Sequence, residues 1–488
     1  VSKSFGAEHA ANLRPAQDAA RDAMTRAANV LAARPGSEGA VAAFVPAAHE
    51  REEVAIDDAV HFAERSRVAW VRDYEPAPRA LRAMAESAFG SGERHPQRLR
   101  TPDGQVLVEP AKLLRYITSF YVDLYTPVDT CRDARRELLA HISVALPAAA
   151  RDALDRPLQR DELEEALFSY RGHSRSPGPD GLPYGFYLRA TSQNAYALSR
   201  VAAASMQRGA LPRSMMTAHL RLLPKSTDAA ELENIRNWRP ISLINTDVRV
   251  LSKAVATRLQ VFAADDLLHS SQCGFVRGRR TTDCVLLLRS VMDVYEAARA
   301  TRGCAVVFLD QYKAYDLVDH HYLFETLERF GFGGDFLSLV RALHCGGSLQ
   351  VRGADGLGPV FAQRRGVRQG DPSSPLLYNF ALEPLLAALR ATLTPVLNCV
   401  VSAYADDVAV FLDSPAEARK LLDLLRLYER ASGARLNDHK TRVLLLGSAS
   451  IGQAPWRAAF PQASFCTAAD PINYLGVQLG GDDPYAPP

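Results

Sequence analysis

Two apolar runs, residues 400–404 (VVSAY) and 408–412 (VAVFL), are joined by only Ala405-Asp406-Asp407. Runs that short, with so short a connection, form a β-hairpin and leave the acidic residues at its tip. A third apolar, β-branched run, residues 304–309 (CAVVFL), ends in Asp310 and suits a buried strand. If these strands are neighbours, three carboxylates converge on one sheet edge and repel unless cations intervene. Hard oxygen ligands with open positions suit Mg²⁺, which keeps waters and substrate phosphates as its other ligands. Two such ions about 4 Å apart would stabilise the attacking and leaving oxygens of an in-line phosphoryl transfer. Taken singly, each carboxylate has an ordinary reading: a solvated turn for Asp406-Asp407, a helix N-cap for Asp310.

The surrounding pattern extends the sheet. Residues 319–330 and 376–389 read as helices, and 349–351 and 360–362 as short strands. Ser414-Pro415-Ala416-Glu417 has a capping-box pattern; Leu421, Leu425 and Tyr428 form the next helix's buried stripe, and Gly433 ends it. Residues 442–446 return as a strand. Strand, helix, hairpin, helix, strand predicts an α+β fold: an antiparallel sheet of split βαβ topology with helices on one face.

Upstream, residues 113–125 predict a half-buried helix, and Ser176-Pro177-Gly178-Pro179-Asp180-Gly181 an ordered loop. The first 50 residues hold 16 Ala, and residues 16–33 read as a peripheral helix. With 488 residues, 47% of them hydrophobic, the chain has length for two to four domains, and composition excludes a disordered, collagen-like or coiled-coil protein. Seven scattered Cys without a C-x-x-C pair predict free thiols in a reducing compartment. No apolar run is long enough to span a membrane and no signal peptide opens the chain, so a soluble intracellular protein is expected.

The ordered set of motifs resembles the reverse transcriptases, among them those of non-LTR (LINE-like) retrotransposons. Phe308-Leu309-Asp310-Gln311-Tyr312-Lys313-Ala314-Tyr315-Asp316 is similar to their first palm block, and Ala403-Tyr404-Ala405-Asp406-Asp407 to the YADD box. Arg365-Gly366-Val367-Arg368-Gln369-Gly370-Asp371-Pro372-Ser373-Ser374-Pro375 resembles the Q-G-D-P-x-S-P block, with Ser373 where the family most often has Leu. Residues 432–441 and Tyr474-Leu475-Gly476 resemble the later palm blocks. The proline loop, Leu223-Pro224-Lys225, Asn237-Trp238-Arg239-Pro240 and Gln272-Cys273-Gly274-Phe275 with Gly278-Arg279 resemble finger blocks. The likeness spans residues 98–480 and implies the fingers and palm of a right-hand polymerase: an N-terminal extension over 1–97, a helical lead-in over 98–170, fingers over 171–300 and palm over 301–480.

The resemblance implies an RNA-directed DNA polymerase adding dNTPs to a DNA primer on an RNA template. Asp310, Asp406 and Asp407 would hold two Mg²⁺ ions, with Mn²⁺ as the alternative ion, and Asp316 would be structural, for instance a helix-start cap. Lys225 and Arg239 would clamp the triphosphate, with Gln369 and Gly370 positioning sugar and template. Tyr315 would be the steric gate against a 2′-hydroxyl, or else a core aromatic against Leu376 or Leu377. Lys440 stands where a general acid for pyrophosphate is placed. Arg277, Arg279, Arg280, Arg365 and Arg368 are the nucleic-acid candidates; residues 213–258 hold eight basic against four acidic side chains and 271–302 six against three. The competing readings are an inactive, domesticated relic that scaffolds RNA, an RNA-dependent RNA polymerase, and a group II intron-type enzyme. Few residues follow Gly480 and no endonuclease signature precedes the fingers, so a thumb and endonuclease are expected from flanking regions or another chain. By family, a ribonucleoprotein of nucleus and cytoplasm is expected.

Overall fold

The structure is a computed structural model that describes residues 95–480 except 172–175, 298–301 and 355. Of the first 94 residues it describes only Ala19, Asp22, Ala23, Arg26 and Val30, all helical, so the N-terminal extension and residues 481–488 lie outside the described part. No described helix is long and apolar enough to cross a membrane.

In chain order the elements that build the site begin with α1 (Pro110–Leu124), then β1 (Thr217–Pro224) and β2 (Trp238–Leu243). Next come α2 (Thr281–Ala297), β3 (Gly303–Leu309) and α3 (His320–Arg329). They are followed by β4 (Ser348–Arg352), β5 (Leu357–Ala362), α4 (Ser374–Thr392), β6 (Val401–Tyr404) and β7 (Asp407–Leu412). The described chain closes with α5 (Glu417–Ser432), β8 (Arg442–Gly447), β9 (Ser464–Thr467), β10 (Ile472–Tyr474) and β11 (Val477–Leu479).

Five strands form one sheet in the order β9-β8-β3-β7-β6. β8, β3, β7 and β6 run antiparallel, and β9 joins as a parallel edge. The expected helical cover on one face is incomplete, because both faces of this sheet are buried. Ala305, Val307 and Leu309 face the large core shared with α3, α4 and α5. Cys304, Val306 and Phe308 face a second core closed by α2 and the β10–β11 hairpin. That is why β3 is apolar throughout instead of alternating: neither side meets water. The helix α4 is buried nearly all round, with Leu376, Phe380, Leu385 and Leu389 at or below 2% exposure.

A second sheet, in the order β2-β1-β4-β5, stands apart from the first. The short strands expected near 349–351 and 360–362 belong here, β4 paired to β1 and β5 to β4, and not to the carboxylate sheet. The proline loop is pinned on Asn245: a Cβ at Gly178 would lie 2.4 Å from its Oδ1, and the Asp180 N–H donates to that oxygen at 3.2 Å.

Two capping expectations are corrected. The Ser414 box does not form; α5 starts at Glu417, whose carboxylate accepts the Thr394 N–H at 2.9 Å. The cap before α3 is Asp319, accepting from the Tyr322 N–H at 2.8 Å, not Asp316. Gly433 ends α5 with φ +70°, a conformation glycine adopts without a Cβ clash.

Candidate active site

Register brings the three aspartates together. Leu309 of β3 pairs with Val408 of β7, so Asp310, the next residue, falls level with Asp407. Tyr404 pairs with Asp407 across a turn of only Ala405 and Asp406. Burial and then Asp310 push the Asp406 carboxyl above its ordinary range. Asp407 reaches solvent at its edge, yet lost hydration, Asp406 and Asp310 push it up to about 6, with Arg442 opposing. Asp406 and Asp407 therefore favour protonation unless a cation is supplied.

The turn is strained and externally clamped. Ala405 has φ +53°, unusual for a residue with a Cβ. The fully buried Gln272 side chain accepts the Ala405 N–H at 2.9 Å and the Gly274 N–H at 2.8 Å. On the same segment, the Cys273 N–H donates to the Ala403 carbonyl and the Ala403 N–H to the Ser271 carbonyl, both at 2.8 Å. Arg279 locks that segment in turn, donating to the carbonyls of His269 at 2.6 Å, Gln272 at 2.8 Å and Leu268 at 2.9 Å. Gln272→Leu would strand two buried N–H groups, so we expect a loss of about 1–3 kcal/mol in a denaturant melt, together with slower catalysis.

Two cations approach from the second sheet. Lys225 follows β1, its N–H donating to the Asn237 carbonyl at 2.8 Å, and Arg239 pairs with Leu223. Burial pulls both groups below their ordinary range; Arg239 and Lys440 act the same way on Lys225, while Asp316 and Asp310 oppose. Asp406 opposes the shift of Arg239. Lys225, Arg239 and the exposed Lys440 therefore share one electrostatic neighbourhood with the aspartates.

Tyr315 stacks on Tyr378 with ring centroids 4.8 Å apart and planes 10° from parallel. It also packs against the large core that contains Leu376 and Leu377, and Asp406 is among the charges that, after burial, push its phenol up. Gln369 is braced at both ends: its carbonyl accepts the Ser242 N–H at 2.8 Å and its side chain donates to Asp316 at 3.2 Å. Gly370 has φ +100° and lies against Ser242, whose carbonyl an added Cβ would meet at 3.0 Å. Asp316 is an interior hub, accepting also from the Tyr125 hydroxyl at 2.8 Å. Ser373, the departure from the family pattern, bonds Asp371 at 2.9 Å and His344 at 2.8 Å in a buried network.

The nucleic-acid candidates divide. Arg277 and Arg280 are exposed, and Arg279 is committed to the carbonyls above. Arg365 and Arg368 are 3% and 4% exposed and point inward. Arg365 donates to the Leu124 carbonyl at 2.7 Å, and Arg368 to the Leu343 carbonyl at 2.8 Å and to Gln363 at 3.0 Å. Both are buried struts of the interior, so the expectation of phosphate contact is not met: their guanidinium groups donate to main-chain carbonyls of the core. Sequence reasoning gave no role to Gln272 or to Lys313; the only signal for either was membership in a quoted motif.

Among the described residues no three His, Cys, Asp or Glu side chains are closed into a metal-holding cluster. The donor chemistry nonetheless fits hard divalent ions: three carboxylates at one strand end, two of them pushed toward protonation by burial and then by the charge of neighbouring aspartates.

Carboxylates at one sheet end, with Lys225 and Arg239 of the second sheet in their electrostatic reach, suit a site that handles phosphate esters. Comparison with known proteins gives the family. Residues 223–479 match the family described as Reverse transcriptase (RNA-dependent DNA polymerase). The chain is 35% identical over 387 residues to the Transposon TX1 uncharacterized 149 kDa protein of Xenopus laevis, covering 78% of this chain and 29% of that protein. It is 29% identical over 278 residues to the Retrovirus-related Pol polyprotein from type-2 retrotransposable element R2DM of Drosophila melanogaster, covering 55% and 24%. A Pol polyprotein from the type-1 retrotransposable element R2 of Popillia japonica matches at 29% over 294 residues, 59% of this chain and 39% of that one. The chain belongs to the reverse transcriptase family, within its non-LTR retrotransposon branch. It spans between about a quarter and two fifths of the length of these relatives.

Proposed function

We propose that the chain adds deoxynucleotides to the 3′-hydroxyl of a DNA primer on an RNA template, as the polymerase portion of a non-LTR element protein. The observation that carries this is the placement of Asp310, Asp406 and Asp407 at one sheet end, with Lys225 and Arg239 acting on them from the other sheet. The five-stranded sheet belongs to the palm, and β1 and β2 of the four-stranded sheet belong to the fingers. Asp310, Asp406 and Asp407 would hold Mg²⁺, which would neutralise charge on the phosphate oxygens. Lys225 and Arg239 bind the β- and γ-phosphates; the planar guanidinium fork matches their oxygens. The primer 3′-hydroxyl gives its proton to solvent water and its oxygen bonds to the α-phosphorus as the bond to pyrophosphate breaks, and Lys440 gives its own proton to the departing pyrophosphate. Gln369 and Gly370 hold template and sugar, and Arg277 and Arg280 meet the nucleic-acid backbone. The protein works as a ribonucleoprotein in nucleus and cytoplasm.

Primer extension on an RNA template with Mg²⁺ and dNTPs tests the reading, and no extension by the purified chain would refute it. On this reading the Tyr315 ring, fixed by its stack on Tyr378, is the gate that excludes a 2′-hydroxyl. Tyr315→Val should therefore reduce the preference for dNTP over rNTP by about 10–100-fold, the scale of a pocket that gains or loses a small group. Competition between dCTP and CTP in single-nucleotide addition measures it.

A further inference from the structure

Lys313 is three residues beyond Asp310 and has no part in the chemistry above. It is 7% exposed, and its ammonium donates to the Trp238 carbonyl at 2.7 Å. Phe120 and Tyr121 of α1 wall it in, with ring centroids 6.0 and 5.9 Å from Nζ. Its backbone is left-handed at φ +47°. Burial pulls the ammonium down to about 8, with Asp316 opposing and Lys225, Arg239 and Arg236 acting with the burial.

Each feature is costly in isolation. Burying an ion costs several kcal/mol, and a left-handed non-glycine residue about 1–3 kcal/mol. An apolar side chain between Phe120 and Tyr121 would avoid the first penalty. What the lysine adds is a directed bond from the loop after β3 to the first residue of β2, beside the Tyr125–Asp316 bond that ties the same loop to the end of α1. Trp238 is the residue immediately before Arg239, so the peptide whose carbonyl Lys313 holds is the one that carries the Arg239 amide. On the other side Lys313 shares Asp316 with Gln369. One buried ammonium thus couples the base of the Arg239 strand to the loop that carries Gln369 and Gly370.

We propose that Lys313 is a positioning residue for the incoming nucleotide: by fixing the Trp238 carbonyl to the palm it sets where the Arg239 guanidinium meets the triphosphate. This rests on the reading above that Arg239 grips the triphosphate. Without the bond the first residue of β2 keeps its pairing with β1 but loses its tie to the palm loop, so the Arg239 guanidinium shifts against the aspartates while Arg277 and Arg280, outside this linkage, keep their hold on the nucleic-acid backbone.

The test is steady-state and single-turnover nucleotide addition by Lys313→Met, with Arg239→Ala alongside. A misplacement of about 1 Å costs up to about 10²-fold, so we expect the dNTP KM of Lys313→Met to rise about tenfold, kcat to fall less, and the primer–template Kd to stay within about twofold. Lys313→Gln, which keeps an N–H donor, should recover part of the KM. If the Met variant does not fold, Phe120→Leu removes one wall of the ammonium and should raise KM about threefold, in line with a lost cation–π contact. An unchanged dNTP KM in Lys313→Met or in Phe120→Leu, with KM raised in Arg239→Ala, overturns the role of Lys313 and spares that of Arg239. An unchanged KM in Arg239→Ala overturns both.

Discussion

Asp406→Asn will abolish nearly all nucleotide addition without unfolding the protein. Charge stabilisation by bound divalent ions is worth several kcal/mol, and each 1.36 kcal/mol is tenfold in rate, so single-turnover addition should fall by about 10³-fold or more. The melting temperature should stay level or rise, because the substitution removes a carboxyl that burial and Asp310 already push toward its neutral form. The same electrostatics give a pH signature. Asp407 in the folded chain protonates at about 6, above the ordinary carboxylate value of about 3.9. The fold therefore binds protons that the unfolded chain releases, and this stability is present below about pH 4 and lost as pH rises to about 6. In EDTA the melting temperature should carry that loss, Mg²⁺ at pH 7.5 should restore it, and Asp406→Asn should shrink both effects. A metal-independent melting curve, or a variant that still extends primers, would contradict the role of the three aspartates.

The aspartate constellation was legible because it is written in short-range signals. Apolar runs of strand length ended in Asp at positions 310 and 406–407, and a turn too short for any connection but a hairpin fixed their neighbourhood. The buried second face was legible too, and was misread: residues 304–309 do not alternate, which is the mark of a strand covered on both sides. What the sequence hides is the destination of a polar side chain. Arg365 and Arg368 stand in a motif rich in Gly and charge, as phosphate ligands do, and only the fold reveals that the carbonyls of Leu124 and Leu343 take them. Glu417 has the spacing of a capping box but finds the Thr394 N–H first. Gln272 supports a turn 133 residues away, a partnership with no periodic trace in the chain. Misread and missed residues share this property: their role is set by long-range bonding.

Gly274→Ala, one methyl group, should disable the site from behind. Gly274 lies beneath the Ala405–Asp406 turn, and a Cβ there would come within 2.3 Å of the Ala405 nitrogen and 3.0 Å of the Tyr404 carbonyl carbon. Both are backbone atoms, so no rotamer change relieves the clash. Nor can the glycine's own segment retreat, since Gln272 grips its N–H and Asn379 donates to its carbonyl. The turn has to move, and it is already strained at Ala405 and held by the same Gln272. Overpacking of this kind costs about 1–3 kcal/mol in stability, while a displacement of about 1 Å at reacting groups costs about 10²-fold in rate. We expect Gly274→Ala to remain folded, with a modestly lowered denaturation midpoint, and to lose at least two orders of magnitude in nucleotide addition with primer–template binding retained. A variant with a lowered midpoint and an unaltered rate would mean that the turn tolerates displacement, and that the clamp around Gln272 serves the fold and not the chemistry.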